Sequence, residues 1–593
     1  LDAVRTLVLS ICLVWLSCRA NAGSQTADEI QQAIRQLGND SAALGKTKAA
    51  AWVESPAVRG TADILWTCIV TLVACVYTVL HLNVPMKSGM WATFRDKIRW
   101  VFCAILMPET VLLVAVTQFR DARALRMELN ELRDKGLSVV CAMFRPNPSP
   151  FDLQFCFFVV MKGFQVPINE YRPGPDFIED VAYPDSLPLS SRGFLKLVEL
   201  GHFDKDSMMT ALRLGDRSKA GIFQKVLVTA QVLWMALQCI VRRAQGFPLA
   251  LLEIHTMVHV ACTIFTYMFW FYKPLDIGQP EIIPLKSEGL KEFVAFAVQE
   301  QLCNAPGVQD LIYYERKPEH ATAASGEDCG LSDGGLQDGA RYQPQLLAEP
   351  QRWIDIDPDT GGSLESGDAL QCGVGLRRLS DTDTKKRLQF TAVDVRRVTK
   401  ATEFTRHLGE NPISDLQPFN PYSFTYLSDK GNLYVKVSDK YNSSPGGKSF
   451  LFIQYLPNTW TIDTTKDTGA LFGASRVPFL LATGLTCMYA GIHLTAWHFD
   501  FPSSVESVLW RTSGLVLCAS SAIALLFTTL VTTNYNSSWG DFVNMPLFFL
   551  FISFSFASLV ARVFLTVESF LSIRSLPVGV YAMPAWLQMI PHL

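Results

Sequence analysis

Charge is scarce in this chain. Asp, Glu, Lys and Arg make up 18% of its 593 residues, where a soluble domain usually carries about 25%. The net charge of −3 leaves no basic field for nucleic acid. The 14 cysteines show no zinc-finger spacing. Cys141, Cys156, Cys303, Cys329 and Cys372 sit too irregularly for a disulfide framework. No complete catalytic or nucleotide-binding motif is present. Gly446-Gly447-Lys448-Ser449 superficially matches the end of a phosphate loop, but the first Gly of that motif is missing and Pro445 intervenes. No cofactor is predicted.

What the chain has is long apolar runs. Seven of them approach the roughly 20 residues that cross a hydrocarbon core: 62–83, 99–118, 224–241, 249–271, 477–497, 512–533 and 545–567. The expected fold is all-α and membrane-embedded, with about seven transmembrane helices after an amino-terminal signal. Arg5, the apolar stretch Thr6–Cys18 and Ala20-Asn21-Ala22 have the order of a secretory signal peptide over 1–22. An uncleaved anchor is the alternative.

The signal places 23–61 outside the cytosol, and seven crossings then leave the tail 568–593 in the cytosol. Lys87, Arg95, Lys97, Arg99, Arg242, Arg243, Arg511 and Arg574 flank the predicted cytosolic ends, as the positive-inside rule asks. Three glycosylation sequons, at Asn39, Asn442 and Asn536, fall on the predicted outer side. The expected location is an integral membrane of the secretory pathway, the plasma membrane first. The lipid bilayer is the expected partner.

Helix pairs at 62–118 and 224–271 and a triplet at 477–567 frame two long polar loops. Loop 119–223 opens with a charged, solvated helix over 121–135, followed by the apolar stretch Phe151–Val166, read as the core of a small domain. Loop 272–476 contains a helical pattern at 290–301 and a Gly/Ser/Asp-rich stretch at 318–345 that reads as disordered. Leu433–Val437 and Phe450–Leu456 read as a small β-hairpin.

Several short patterns carry a resemblance. They are Arg59-Gly60-Thr61-Ala62-Asp63-Ile64-Leu65-Trp66, Leu80-His81-Leu82-Asn83-Val84-Pro85, Leu106-Met107-Pro108-Glu109, Trp270-Phe271-Tyr272-Lys273-Pro274-Leu275-Asp276, Ala561-Arg562-Val563-Phe564, Val567-Glu568-Ser569-Phe570 and Pro591-His592-Leu593. Together they resemble a large family of filamentous-fungal multi-pass membrane proteins with no established activity. The resemblance implies architecture and a fungal source, not chemistry. The region 418–460 is outside the pattern and reads as an insertion or a gene-model artefact.

Ionisable groups inside apolar runs cost about 2.5–3.5 kcal/mol even on lenient insertion scales, so each asks for a partner or water. The candidates are Glu109, Glu253, His255, His259, His493 and Arg562. Glu109 and Arg562 are partners by charge, as interhelical glue or as the lining of a hydrated path. His255 and His259 share one helix face, and His493 comes to a similar depth. Two such histidines suit a metal only if further ligands converge, with His493 a candidate third. Pro108 can break its span and expose backbone at mid-membrane, as in transport proteins. The functional reading is a channel or transporter-like protein. A receptor or sensor without enzymatic activity, and an intramembrane metal-dependent enzyme, are the alternatives.

Overall fold

The computed structural model describes residues 24–38, 40–55, 58–79, 83–84, 90–135, 151–170, 185–203, 226, 228–274, 277, 279–299, 302–303, 362–364, 388–390, 400, 404, 423–427, 433–437, 477–533 and 540–583. The expected signal, the sequons at Asn39, Asn442 and Asn536, and the stretch 318–345 lie outside these residues.

Two short helices precede the bundle. α1 (Ala27–Leu37) starts at a capping box, in which the Glu29 N–H donates to Thr26 Oγ1 at 3.4 Å and the Thr26 N–H donates to Glu29 Oε2 at 3.1 Å. α2 (Ser41–Lys46) is capped by Asp40, whose carboxylate accepts from Ala42 and Ala43 N–H at 3.0 and 3.1 Å. Between them and the bundle, β1 (Ser24–Gln25) pairs in parallel with β2 (Trp52–Val53).

The bundle is built from α3 (Thr61–Val79), α4 (Met90–Leu106), α5 (Pro108–Asp134), α8 (228–244), α9 (Leu251–Trp270), α11 (Val477–Leu494), α12 (Ser504–Thr533) and α13 (Gly540–Leu571). α9 is its axis: it packs against α3, α5, α11 and α13, and most of its residues are buried. Among the described residues, three helices are long and apolar enough to cross a membrane, over Leu251–Trp270, Ser504–Phe527 and Phe549–Ser575. The bent pair α4–α5 adds a fourth if counted as one span, and Thr61–Tyr77 and Leu480–Leu494 are apolar but shorter.

The single span predicted over 99–118 is two helices. The axis turns by 112° between α4 and α5. Met107 has φ −139° and ψ 60°, and Pro108 opens α5. Proline has no N–H for the preceding turn, its ring clashes with that turn's carbonyl, and it bars helical geometry at the residue before it. Turning past a right angle folds the two helices back onto one side of the break. The charged stretch 121–135 is not a separate solvated helix either. It continues α5, and Ala122, Leu125 and Leu129 bury one face of it.

The bundle has two distinct ends. At the first, which we term the tail end, residues 572–582 form two short 3-10 turns against the amino-terminal segment. Val578 N–H donates to Thr47 O at 2.8 Å, Ala49 N–H to Leu576 O at 3.0 Å and Arg59 N–H to Tyr581 O at 3.2 Å. The amino-terminal segment and the carboxyl-terminal tail, expected on opposite membrane faces, are therefore in direct contact.

At the second, the domain end, the two long loops build one unit. α6 (Leu153–Val160) leads through a tight turn into β3 (Phe164–Pro167), which pairs antiparallel with β4 (Ser186–Pro188) and in parallel with β5 (Glu281–Ile282). α7 (Ser191–Glu199) and α10 (Glu288–Gln299) cover this sheet. Phe151, Phe155, Phe158, Phe164, Phe194 and Phe203 are all buried, and Phe164 stacks on Phe194 at 5.0 Å. The apolar stretch Phe151–Val166 is thus a helix–turn–strand at the centre of a domain core.

The turn between α6 and β3 has an unusual residue. Lys162 has φ 69° and is half-buried. Gly163 must stay glycine, because a Cβ there would lie 2.5 Å from Phe158. Burial pushes the Lys162 amine down to about 8 from its ordinary 10.5. Below pH 8 the amine is charged in both folded and unfolded states, and its desolvation destabilises the fold in full. The penalty fades as pH rises from 8 to 10.5, so stability rises across that window. Lys162→Gly is expected to gain about 1 kcal/mol and to lose that slope. Thermal unfolding of both proteins at pH 7.5, 9 and 10.5 checks this, and parallel profiles would refute it.

Two further hairpins lie in the second loop: β6 (Gly362–Leu364) with β7 (Leu388–Phe390), and β8 (Ser423–Leu427) with β9 (Leu433–Val437). The partner expected for β9 was Phe450–Leu456, which is outside the described residues. The observed partner precedes it in the chain. Ser428-Asp429-Lys430-Gly431-Asn432 is a short connection rich in turn residues, and a short loop closes at less entropic cost than the twelve residues of 438–449.

Candidate functional site

The site is at the break between α4 and α5. A helix break leaves orphan carbonyls at one end and orphan N–H groups at the other, with partial negative and positive charge respectively. Arg562 of α13 answers the first: its Nη1 donates to Leu106 O, on the last residue of α4, at 3.0 Å. Glu109, in the first turn of α5, answers the second. The two side chains are joined directly, Arg562 Nη2 donating to Glu109 Oε1. Tyr489 of α11 lies against the guanidinium, with its ring centroid 4.7 Å from Cζ, a cation–π contact. Glu109 and Arg562 are 3% and 5% exposed, and Glu109 Oε2 has no partner among the described residues.

Three histidines lie beside this pair. His493 Nδ1 is 2.9 Å from Tyr489 O, which can only accept, so Nδ1 carries the proton and Nε2 is left as an acceptor. His255 Nδ1 then donates to His493 Nε2 at 3.1 Å. Trp510 Nε1 donates to His493 O at 2.9 Å and fixes the segment from the α12 side. His259, one turn along α9, places its ring 4.9 Å from that of His255. Its Nε2 is buried and without a partner among the described residues.

The structure thus brings His255 and His493 into a direct bond, which occupies nitrogens that a metal would need. Among the described residues no group of three His, Cys, Asp or Glu has metal-holding geometry.

A cavity of about 10 Å³ lies next to the break, lined by Cys75, Val76, Ala104, Pro108, His259, Cys262, Thr263 and Thr266. That is room for about one water molecule.

Glu253, the sixth sequence candidate, belongs elsewhere. It lies at the tail end, where it accepts from Ala250 N–H at 2.8 Å and pairs with Arg59. It caps α9 rather than facing the histidines. Arg59 was legible only as part of the motif before α3. Arg242 was read as a cytosolic edge charge but is 2% exposed. It donates to Val580 O and Ala582 O, both at 2.6 Å, and holds the tail in place.

At the domain end Lys273 is buried as well. Its Nζ donates to Gln118 Oε1 at 2.9 Å and Asn83 Oδ1 at 3.4 Å, and lies 4.0 Å from the Trp270 ring centroid. The sequence reading missed Lys273 as a buried group, although its motif was in view. Trp100, Trp270 and Trp510 are fully buried. Trp66 and Trp91 are exposed at 70% and 79%, as anchors would be.

Fold and site together define a mostly helical protein with a few apolar helices of spanning length around a buried polar centre, compatible with an integral membrane protein. Residues 34–328 match the model of a family of unknown function (DUF8562). That match takes in Glu109, His255 and His259 but ends before Tyr489, His493 and Arg562. No curated protein and no solved structure matches the chain.

Proposed function

We propose that the chain is a polytopic integral membrane protein that moves a small solute past the broken helix. Six helices cross in this reading: α3, α8, α9, α11, α12 and α13. α4 and α5 form a re-entrant pair that enters from the domain end and turns at Met107–Pro108. The parity supports it, since an even number of crossings returns the tail to the face of the amino-terminal segment, to which it is hydrogen-bonded. The resemblance to fungal multi-pass proteins supports the membrane setting, and a secretory or plasma membrane is the location we propose.

The observation that carries the transport reading is the break itself. Backbone interrupted at membrane depth is tolerated only where protein buries it or where it lines a cavity. Here Arg562 and Glu109 neutralise its two ends, and a buried histidine and a small cavity stand beside it. Discontinuous helices near the midplane are how transporters present polar backbone to a solute. The cavity admits about one water, so this is a closed state of the path.

The test is flux through liposomes carrying the full chain, with osmotic water flow, proton leak and ammonia entry measured separately. At least one rate is expected to exceed that of empty liposomes tenfold. Thr266→Val, which leaves the ion pair intact, should lower it. Rates equal to empty liposomes for all three would overturn the reading.

A further inference from the structure

Polar groups in a helical bundle are satisfied across the helices or by a bound molecule, and the cavity beside the break contains one that is not. His259 is 2% exposed, and its Nε2 has no partner among the described residues. A buried imidazole nitrogen left alone costs about 1–3 kcal/mol. The same residue lines the cavity with Thr263 and Thr266, one and two turns further along α9. The other walls are Cys75 and Val76 from α3, Ala104 from α4, Pro108 from α5 and Cys262 from α9.

We infer that this cavity is a binding site for one small, neutral, hydrogen-bonding molecule of the size of water or ammonia, held by His259 Nε2. Size points to one such molecule, because about 10 Å³ is room for about one water. Charge is excluded by the walls. The cavity-lining residues include no carboxylate and no cationic side chain, and an ion with no countercharge in such surroundings is far costlier than a neutral dipole. Glu109 and Arg562 are bonded to each other through Glu109 Oε1, and neither residue lines the cavity. Polarity sets the lower limit, because an empty cavity is stable when apolar and a histidine nitrogen makes this one polar.

The site sits where the re-entrant pair turns, so the bound molecule touches the residue that breaks the helix. As a substrate site it rests on the transport reading above. As a binding site it rests on the cavity and the orphan nitrogen alone.

The experiment uses the full chain, labelled with 15N-histidine and reconstituted in lipid, with water as the probe. Magnetisation transferred from water should reach the His259 Nε2 resonance, assigned by its loss in His259→Gln. Ala104→Leu places a larger side chain in the cavity and should remove that transfer. The His255 and His493 resonances should stay in place in that variant, which shows that the bundle is still folded. Adding 15N-ammonia at high pH should shift the His259 signal in the wild type only. Absence of transfer from water in the wild type, or equal transfer in Ala104→Leu with the other two histidines unmoved, would overturn the inference. If Ala104→Leu disturbs those two, Thr263→Ile is the second cavity-filling variant and is judged by the same outcomes. Transfer to His259 without flux in the liposome assay keeps the binding site and sinks the transport reading.

Discussion

Glu109→Gln is expected to destabilise the protein by about 3–5 kcal/mol, and Arg562→Met by a similar amount. Each substitution leaves the opposite charge buried, and Arg562→Met also strips Leu106 O of its donor. The double variant should lose far less than the sum, because no lone charge remains in it. The coupling expected between residues in direct contact is about 2 kcal/mol or more. The favourable quantity is the pairing, not the presence of charge, since replacing a whole buried pair by apolar residues is often neutral. Thermal unfolding of the four proteins in one detergent measures the cycle. Losses that add within about 0.5 kcal/mol would show that the contact carries no energy of its own.

The second large effect is all-or-none. With six crossings and a re-entrant pair, Gly45→Cys and a cysteine appended after Leu593 react with a membrane-impermeant thiol reagent from the same face. Lys97→Cys, at an exposed position of α4, reacts from the opposite face. Gly45 suits the probe because nothing lies within 4 Å of its added Cβ. The native thiols Cys68, Cys75, Cys103, Cys239 and Cys262 are buried, and the labelling background replaces Cys487, Cys518 and the cysteines outside the described residues by serine. Labelling of positions 45 and 593 from opposite faces would restore an odd number of crossings and dismiss the re-entrant pair. The measurement needs no assumption about which face is cytosolic.

The helices were legible because apolar runs of this length have few other outcomes. The axis α9, the pair α12–α13 and the break at Pro108 all follow from composition and from proline chemistry. The direction of the chain after the break was not legible. A proline ends a helix but does not state the angle at which the next one leaves, and here the axis turns by 112°. In the six-crossing topology proposed above, counting apolar runs adds one crossing and puts the two termini on opposite faces.

At the site, charge alone singled out Glu109 and Arg562, because each needs a partner and few were on offer. Leu106 O could not be foreseen, since a carbonyl becomes an acceptor of interest only once the helix breaks. The spacing of His255 and His259 gave their common face. Their separate partnerships depend on how α11 is rotated, which no local pattern encodes. Arg242 was read as an edge charge, and Arg59 and Lys273 stood only within sequence motifs, at helix ends where long side chains usually reach water. In this fold the tail and the domain cover those ends, and Arg59 is paired with Glu253, Arg242 with tail carbonyls and Lys273 with the side-chain amides of Asn83 and Gln118.

The closure of the tail end has a consequence for synthesis. Thr47 and Val578 are hydrogen-bonded but about 530 residues apart in the chain. At roughly 5–20 residues per second, the segment before α3 waits about half a minute to two minutes for its partner to be made. Until then Ile30, Leu44, Val53 and Val58, all buried in the finished molecule, lack the tail that covers them. Residues 576–581 lock a segment translated before the whole bundle, so a chain truncated shortly before Ile573 retains its bundle sequence but never completes its amino-terminal core.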